Sequence, residues 1–201
     1  RSYAYIFVDE FQDTNELQYN ILKKLINQQT YVLCVGDHDQ SIYQFRGADA
    51  SIINMYIKDY NTTVLKLLIN YRSNKTIINH ANRLIKRNYR VLKKDLIPYK
   101  THTKAIESLT FMNTEQESNF IMDKISTWIN QDHIKPYEIA VLYRQHHRAF
   151  DLIHHFKTTH FNYYQPDINI KHKIHLLTMH QAKGLEFDAV IILGLESSIF
   201  P

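Results

Sequence analysis

Four strings in this 201-residue sequence carry side chains that could do chemistry. The first reads Val8-Asp9-Glu10-Phe11-Gln12-Asp13-Thr14-Asn15 and follows an apolar run. Two carboxylates at the carboxyl end of a strand could hold a hydrated Mg2+ and activate a water, and ligands of open α/β sheets bind at that end. An Asp-Glu pair by itself says little, because most such pairs are solvated turn residues. The residues that follow it are what single it out.

The second string, Gly36-Asp37-His38-Asp39-Gln40-Ser41-Ile42-Tyr43-Gln44-Phe45-Arg46-Gly47-Ala48, also follows an apolar run. Gly36 can turn the chain without a Cβ penalty. Gln40 offers an amide able to touch both a phosphate oxygen and a water. Phe45 offers a face for a base, and Arg46 a contact for phosphate or carboxylate. The third string is Asn70-Tyr71-Arg72-Ser73, where a ring and a guanidinium could meet a base and a phosphate; Tyr71 read alone is a packing residue. The fourth, Thr178-Met179-His180-Gln181-Ala182-Lys183-Gly184-Leu185-Glu186-Phe187, offers His180 and Lys183 to a nucleic-acid backbone and Glu186 to a sugar hydroxyl.

Something must hold these strings in place. Short apolar runs at 3–8, 31–35, 64–68, 108–112, 138–143, 174–178 and 189–193 fit strands buried on both faces of a parallel sheet. Between them, apolar residues recur at helical spacing. Leu17, Ile21, Leu25 and Ile26 mark one helix, with Asp13 as its cap. Ile77, Ile78, Ala81, Leu84 and Ile85 mark another, capped by Ser73. Phe120, Ile121, Ile125, Trp128 and Ile129 mark a third, and Phe150, Ile153 and Phe156 a fourth. Strands alternating with such helices indicate an α/β fold with a largely parallel sheet. The basic, aperiodic stretch 87–103 reads either as a nucleic-acid-facing loop or as a solvated surface segment.

Composition narrows the class. Hydrophobic residues are 44% and charged residues 22%, a globular balance. The net charge of +4 permits a polyanionic partner without requiring one. The single cysteine excludes an internal disulfide framework and a multi-cysteine zinc site, and fits a reducing, cytoplasmic compartment. No apolar run reaches the roughly 20 residues that span a bilayer, so no membrane partner is expected. The twelve histidines, several of them paired, lack a completing carboxylate or cysteine at ligand spacing and read as surface residues.

Taken together and in this order, the four strings resemble motifs II, III, IV and V of the UvrD/PcrA/Rep family of superfamily 1 DNA helicases. The stretch Ala140-Val141-Leu142-Tyr143-Arg144 with Arg148 is similar to the segment after motif IV, and the resemblance runs over residues 5–201. It implies RecA-like parallel sheets with flanking helices, of the P-loop NTPase type, in one incomplete and one nearly complete domain. Residues 1–69 would be the C-terminal part of a first RecA-like ATPase domain, with motifs II and III. Residues 70–201 would be a second RecA-like domain with motifs IV and V, truncated before motif VI and without the accessory insertion. The resemblance also implies ATP and Mg2+, single-stranded DNA as partner, 3′-to-5′ movement, and repair or replication duties.

Roles follow from the same resemblance. Asp9 would bind Mg2+ through water and Glu10 would act as the base for the attacking water. Gln40 would sense the γ-phosphate. Tyr43, Phe45 and Arg46 would lie along the single-strand path, Phe45 stacking on a base. Tyr71 would stack on adenine, and Arg72 would reach the γ-phosphate as an arginine finger. His180 and Lys183 would line the DNA path, and Glu186 would meet the ribose. These roles suit phosphoryl transfer, which depends on positioning and charge neutralisation.

The departures carry expectations too. None of Gly36, Gly47, Gly184 and Gly194 is followed by Lys and then Ser or Thr, so the P-loop pattern is absent. In the family that loop precedes motif II, and the motif VI arginine follows the stretch that ends at Pro201. The chain is therefore expected to be a fragment whose missing N-terminal ATPase half belongs to the same polypeptide, inactive alone in ATP hydrolysis and unwinding. A short connection, 165–173, stands where larger members insert an accessory domain. Two other functions remain open: a non-catalytic nucleic-acid or protein-binding module on a degenerate helicase fold, and the helicase-like half of a helicase–nuclease. A P-loop upstream would favour the motor, and a carboxylate-rich domain downstream the nuclease.

Overall fold

The computed structural model describes residues 3–88, 90, 92–164 and 170–196. Residues 165–169 of the short connection, and 197–201 of the segment expected to precede motif VI, lie outside the described residues. Contacts divide the chain into two compact units, Arg1–Glu107 and Ser108–Pro201.

In the first unit, strand β1 (Tyr5–Val8) pairs in parallel with β2 (Tyr31–Cys34), Tyr5 opposite Tyr31 and Val8 opposite Cys34. A parallel pair needs a crossover, and helix α1 (Glu16–Leu25) supplies it. The cap of α1 is Asn15, not Asp13. Residues Phe11–Asp13 form a 3-10 turn, which delays the helix until Asn15 can accept from the Gln18 N–H at 2.9 Å while Gln18 accepts from the Asn15 N–H. Helix α2 (Ser51–Tyr60), which the sequence patterns did not single out, buries Ile52 and Tyr56 against Phe11, Tyr19 and Leu22. The Tyr19 hydroxyl donates to Asp59 at 2.9 Å and so ties α1 to α2.

Contrary to expectation, β1 and β2 are buried on one face only. Alternate side chains point to opposite faces of a strand. Ile6, Val8, Val32 and Cys34 pack against the helices, while Tyr5, Phe7, Tyr31 and Leu33 are exposed.

The same unit holds a second parallel pair, β3 (Ile69–Asn74) and β4 (Ile97–Lys100), joined through α3 (Lys75–Ile85). The strand expected at 64–68 is irregular chain, and β3 starts after it. Asn74 caps α3 in place of Ser73, its Oδ1 accepting from the N–H groups of Thr76 and Ile77 at 2.9 and 3.2 Å. β4 lies inside the stretch that had looked aperiodic, and Asn82 of α3 fixes its entry by bonding both the N–H and the carbonyl of Leu96.

The second unit is a three-stranded parallel sheet in the order β6 (His175–Thr178), β5 (Ile139–Tyr143), β7 (Ala189–Leu193). The central β5 is buried almost throughout, as a strand covered on both faces should be. Helices α4 (Thr114–Asn130) and α5 (His146–Thr158) pack on the sheet through Ile121, Ile125, Leu152 and Phe156. The strand expected at 108–112 is irregular. Phe156 stacks on Phe161 and meets Tyr164. Replacing Phe156 with Ala removes a fully buried ring and should destabilise this unit by about 3–5 kcal/mol. The sole tryptophan, Trp128, packs on the same core, so urea unfolding followed by its fluorescence reads the loss directly.

Candidate functional site

The carboxyl end of β1 passes straight into Asp9 and Glu10. Glu10 sits at φ 49°, in the left-handed region, and its N–H donates to Asp9 Oδ1 at 2.8 Å. A non-glycine residue held there stores backbone strain of about 1–3 kcal/mol, which persists only where the surroundings enforce it. Both residues are exposed, and both line a recess of about 350 Å3 together with Phe11, Asp13, Thr14 and Gln18.

What enforces that conformation is Gln12. Its side chain is fully buried. Its Nε2 donates to Glu10 Oε2 at 2.5 Å, and its Oε1 accepts the Asp37 N–H at 2.9 Å. The backbone adds further ties: Phe11 N–H to the Val35 carbonyl at 2.9 Å, Val35 N–H to the Val8 carbonyl at 2.8 Å, and the Ser41 hydroxyl to the Gln12 carbonyl at 3.3 Å. Gly36 permits this closeness. A Cβ there would stand 2.6 Å from Gln12 Oε1 and 3.0 Å from the Phe11 nitrogen. The sequence reading passed over Gln12. Its signal was an amide two residues beyond the carboxylate pair, ahead of any helix.

After Gly36 the chain makes a 3-10 turn over His38–Gln40, capped by Asp37, whose Oδ1 accepts from the Asp39 N–H at 3.0 Å. Gln40 donates its Nε2–H to Asp37 Oδ2 at 2.9 Å. Lys94 Nζ lies 2.6 Å from Asp37 Oδ1, and Arg90 grips Asp39 through Nε at 3.0 Å and Nη2 at 2.6 Å. Burial works against the charged form of Asp37, but the bonds from Lys94 and Gln40 outweigh it and hold this carboxyl below the usual carboxylate range. Asp37, His38 and Asp39 are close enough together to suggest a cation site. Lys94 and Arg90 already supply the positive charge, so the cluster is an ion-pair network. Thus Asp9, Glu10 and Gln40 belong to one bonded arrangement, joined through Gln12 and Asp37.

Tyr43, Phe45 and Arg46 form a second group on the following loop. The Tyr43 and Phe45 rings are 6.2 Å apart, and the Arg46 guanidinium lies 5.1 and 5.4 Å from their centroids. Phe45 is 69% exposed. An exposed ring beside a cation suits stacking on an unpaired base.

Tyr71 and Arg72 lie within β3 rather than at its end, in the stretch where its register against β4 shifts. Tyr71 is exposed and packs against Tyr99 at 4.8 Å between centroids; Lys100 Nζ donates to the Arg72 carbonyl at 2.8 Å.

His180, Lys183 and Glu186 belong to the second unit. They follow β6 on a turn that Gln181 closes by accepting from the Thr178 N–H at 2.9 Å, while Gly184 takes φ 80°. His180 and Lys183 are half-buried there and Glu186 is exposed.

Comparison with known proteins shows what the chain is similar to. The UvrD/REP helicase N-terminal domain matches residues 1–61, and the UvrD-like helicase C-terminal domain matches residues 65–168 and 164–201. The chain is 38% identical over 147 residues to the ATP-dependent DNA helicase Rep of Buchnera aphidicola subsp. Acyrthosiphon pisum, covering 73% of this chain and 23% of that protein. It is 37% identical over 147 residues to DNA helicase II of Haemophilus influenzae, covering 73% and 20%. It is 41% identical over 146 residues to the ATP-dependent DNA helicase PcrA of Staphylococcus aureus, covering 71% and 20%. The chain therefore spans about a fifth of the length of the curated relatives it matches.

Two measurements check this geometry. Gly36→Ala should displace the Gln12 amide and leave buried polar groups unpaired, lowering thermal stability by about 1–3 kcal/mol. The second concerns His38, whose side chain is 6% exposed. Burial lowers its pKa, Asp39 and Asp37 oppose that effect, and Lys94 and Arg90 add to it. A lowered folded pKa means that stability is complete above the unfolded value of about 6.5 and is lost as pH falls below it. His38→Gln should therefore lose less thermal stability than the wild type between pH 7 and pH 5, read by near-ultraviolet tyrosine circular dichroism.

Proposed function

The chain belongs to the UvrD/REP helicase family, and on that footing we propose that it is part of an ATP-driven motor moving on single-stranded DNA, in the 3′-to-5′ direction. The observation that carries the reading is the bonded path from Glu10 through Gln12 to Asp37 and Gln40. It links a candidate base to a candidate phosphate-sensing amide on neighbouring strand ends, where an α/β sheet presents its ligands.

In this reading residues 1–69 are the C-terminal part of a first RecA-like domain of P-loop type, and residues 70–201 most of a second. The matched stretches 1–61 and 65–201 support a border there. Glu10 takes the proton of the attacking water. One of its oxygens is engaged by Gln12, which fixes the carboxylate's orientation. Asp9, exposed beside it on the same recess, suits a hydrated Mg2+, which would neutralise charge on the terminal phosphates. Gln40 senses the γ-phosphate, Arg72 contributes a guanidinium to it, Tyr71 packs on adenine, and Glu186 meets the ribose. Phe45 and Tyr43 stack on bases and Arg46 meets the backbone between them, and His180 and Lys183 extend that path. Stacking is worth roughly 1–3 kcal/mol per base and tolerates any sequence, as a translocating grip must.

The 201 residues contain no P-loop pattern, so the polypeptide 1–201 should show no ATP turnover by itself. The full-length protein containing it should show turnover that single-stranded DNA stimulates, and Glu10→Gln should abolish that turnover while leaving DNA binding intact, as measured by phosphate release and fluorescence anisotropy. DNA binding without turnover in the folded full-length protein would replace the motor with a binding module on a helicase scaffold.

A further inference from the structure

Two cations stand behind the turn that carries Gln40, and no role has been assigned to either. Lys94 and Arg90 lie on the segment between α3 and β4, remote in sequence from the turn they hold. Their side chains are 15% and 7% exposed, far less than for ordinary surface cations. Arg90 meets Asp39 through two nitrogens, donates a further bond to the Lys94 carbonyl, and reaches Asp95 at 3.4 Å. Asp95 is held in turn by Lys86 at 2.7 Å. Arg90 thus fixes the backbone of Lys94 while gripping one carboxylate of the turn, and Lys94 grips the other.

Asp37 is the point where this clamp meets the site. Its carboxylate receives Lys94 on Oδ1 and Gln40 on Oδ2, and its N–H is held by Gln12, which also holds Glu10. The turn lies in the stretch matched by the family's N-terminal domain, and the two cations in the stretch matched by its C-terminal domain. A half-buried charge-assisted bond of this kind fixes geometry more firmly than a solvent-exposed pair.

We propose that Lys94 and Arg90 are positioning residues for ATP hydrolysis. They pin Asp37 and Asp39 from the C-terminal family domain and so set the orientation of Gln40 and, through Gln12, of Glu10. Neither touches substrate. A displacement of Arg90 and Lys94 reaches the hydrolytic groups through Asp37 and Asp39, which gives one family domain a direct mechanical hold on the chemistry of the other. The proposal rests on the motor reading above.

The test uses the full-length protein and compares wild type, Lys94→Met, Lys94→Arg, Asp37→Asn and the double variant Lys94→Met with Asp37→Asn. Turnover is measured with saturating single-stranded DNA over a range of ATP concentrations, and folding is followed by thermal midpoint. Lys94→Met should lower kcat by roughly tenfold, the size of one lost charge-assisted bond, with the KM for ATP changed by less than about twofold. Lys94→Arg should recover most of kcat, and the double variant should be no slower than the worse single variant. Wild-type kcat in Lys94→Met, an equal loss in Lys94→Arg, or additive losses in the double variant would overturn the clamp. If Lys94→Met does not fold, Asp37→Asn carries the same kcat expectation and the same power to refute. No turnover in the wild type would instead remove the motor reading and this proposal with it; turnover in the wild type with an unaffected Lys94→Met removes the clamp alone.

Discussion

The buried amide of Gln12 is the constraint from which the first unit's site follows. An amide out of water must satisfy both of its ends or lose about 1–3 kcal/mol for each group left open. Here the nitrogen end takes Glu10 and the oxygen end takes the Asp37 N–H. Three features then stop being independent. The ends of β1 and β2 must lie at one separation, position 36 must lack a Cβ, and Glu10 must turn back into a left-handed conformation to bring its carboxylate to Gln12. The strain at Glu10 is thus held by a bond that the unit's interior protects.

The site built on that amide divides its work by environment. Groups suited to positioning are shielded: Gln12 is buried, and His38, Arg90 and Lys94 are nearly so. Groups suited to meeting a ligand are open: Asp9 and Glu10 line a recess, and Phe45 presents most of its ring to solvent. A shielded polar network costs much if half satisfied and is rigid when complete. Such rigidity would serve a carboxylate that must keep one orientation, and would hinder a surface that had to accept varied ligands.

Much of this was legible before the fold was known, and the failures have physical causes. Runs at 31–35, 138–143, 174–178 and 189–193 matched strands to within one residue, and 3–8 to within two, because apolar strand cores dominate local pattern. The runs at 64–68 and 108–112, interrupted by Lys66 and by Ser108 and Thr110, are not strands: Leu65, Leu67 and Leu109 are exposed, and an apolar run without a pairing partner has no ladder to join. Helix α2 was missed since Ser51 opens it without a side-chain cap and its apolar residues are mixed with Asn54, Lys58 and Asp59. The candidate site residues were legible as strings: three of the four sit on turns that follow strands, while the string with Tyr71 and Arg72 lies within β3. The links between them were not legible. Gln12 to Asp37 and Lys94 to Asp37 join positions far apart in the chain, and one sequence contains no record of such contacts.

The same distinction changes the meaning of the chain's positive charge. Counted along the sequence, the stretch 87–103 reads either as a nucleic-acid-facing loop or as a solvated surface segment. In the fold, Arg90 is bound to Asp39 and Asp95, and Lys94 to Asp37, while Lys86 just before the stretch is bound to Asp95. Affinity for a phosphate backbone comes from cations that exchange small counterions for phosphates. A guanidinium already committed to two carboxylates has little to exchange. Arg90 and Lys94 act inward, on the turn that carries Gln40, whereas Arg87, Lys93 and Lys100 of the same stretch are exposed. A net charge of +4 is therefore a poor guide to where a strand would lie; the pairing of each cation decides it.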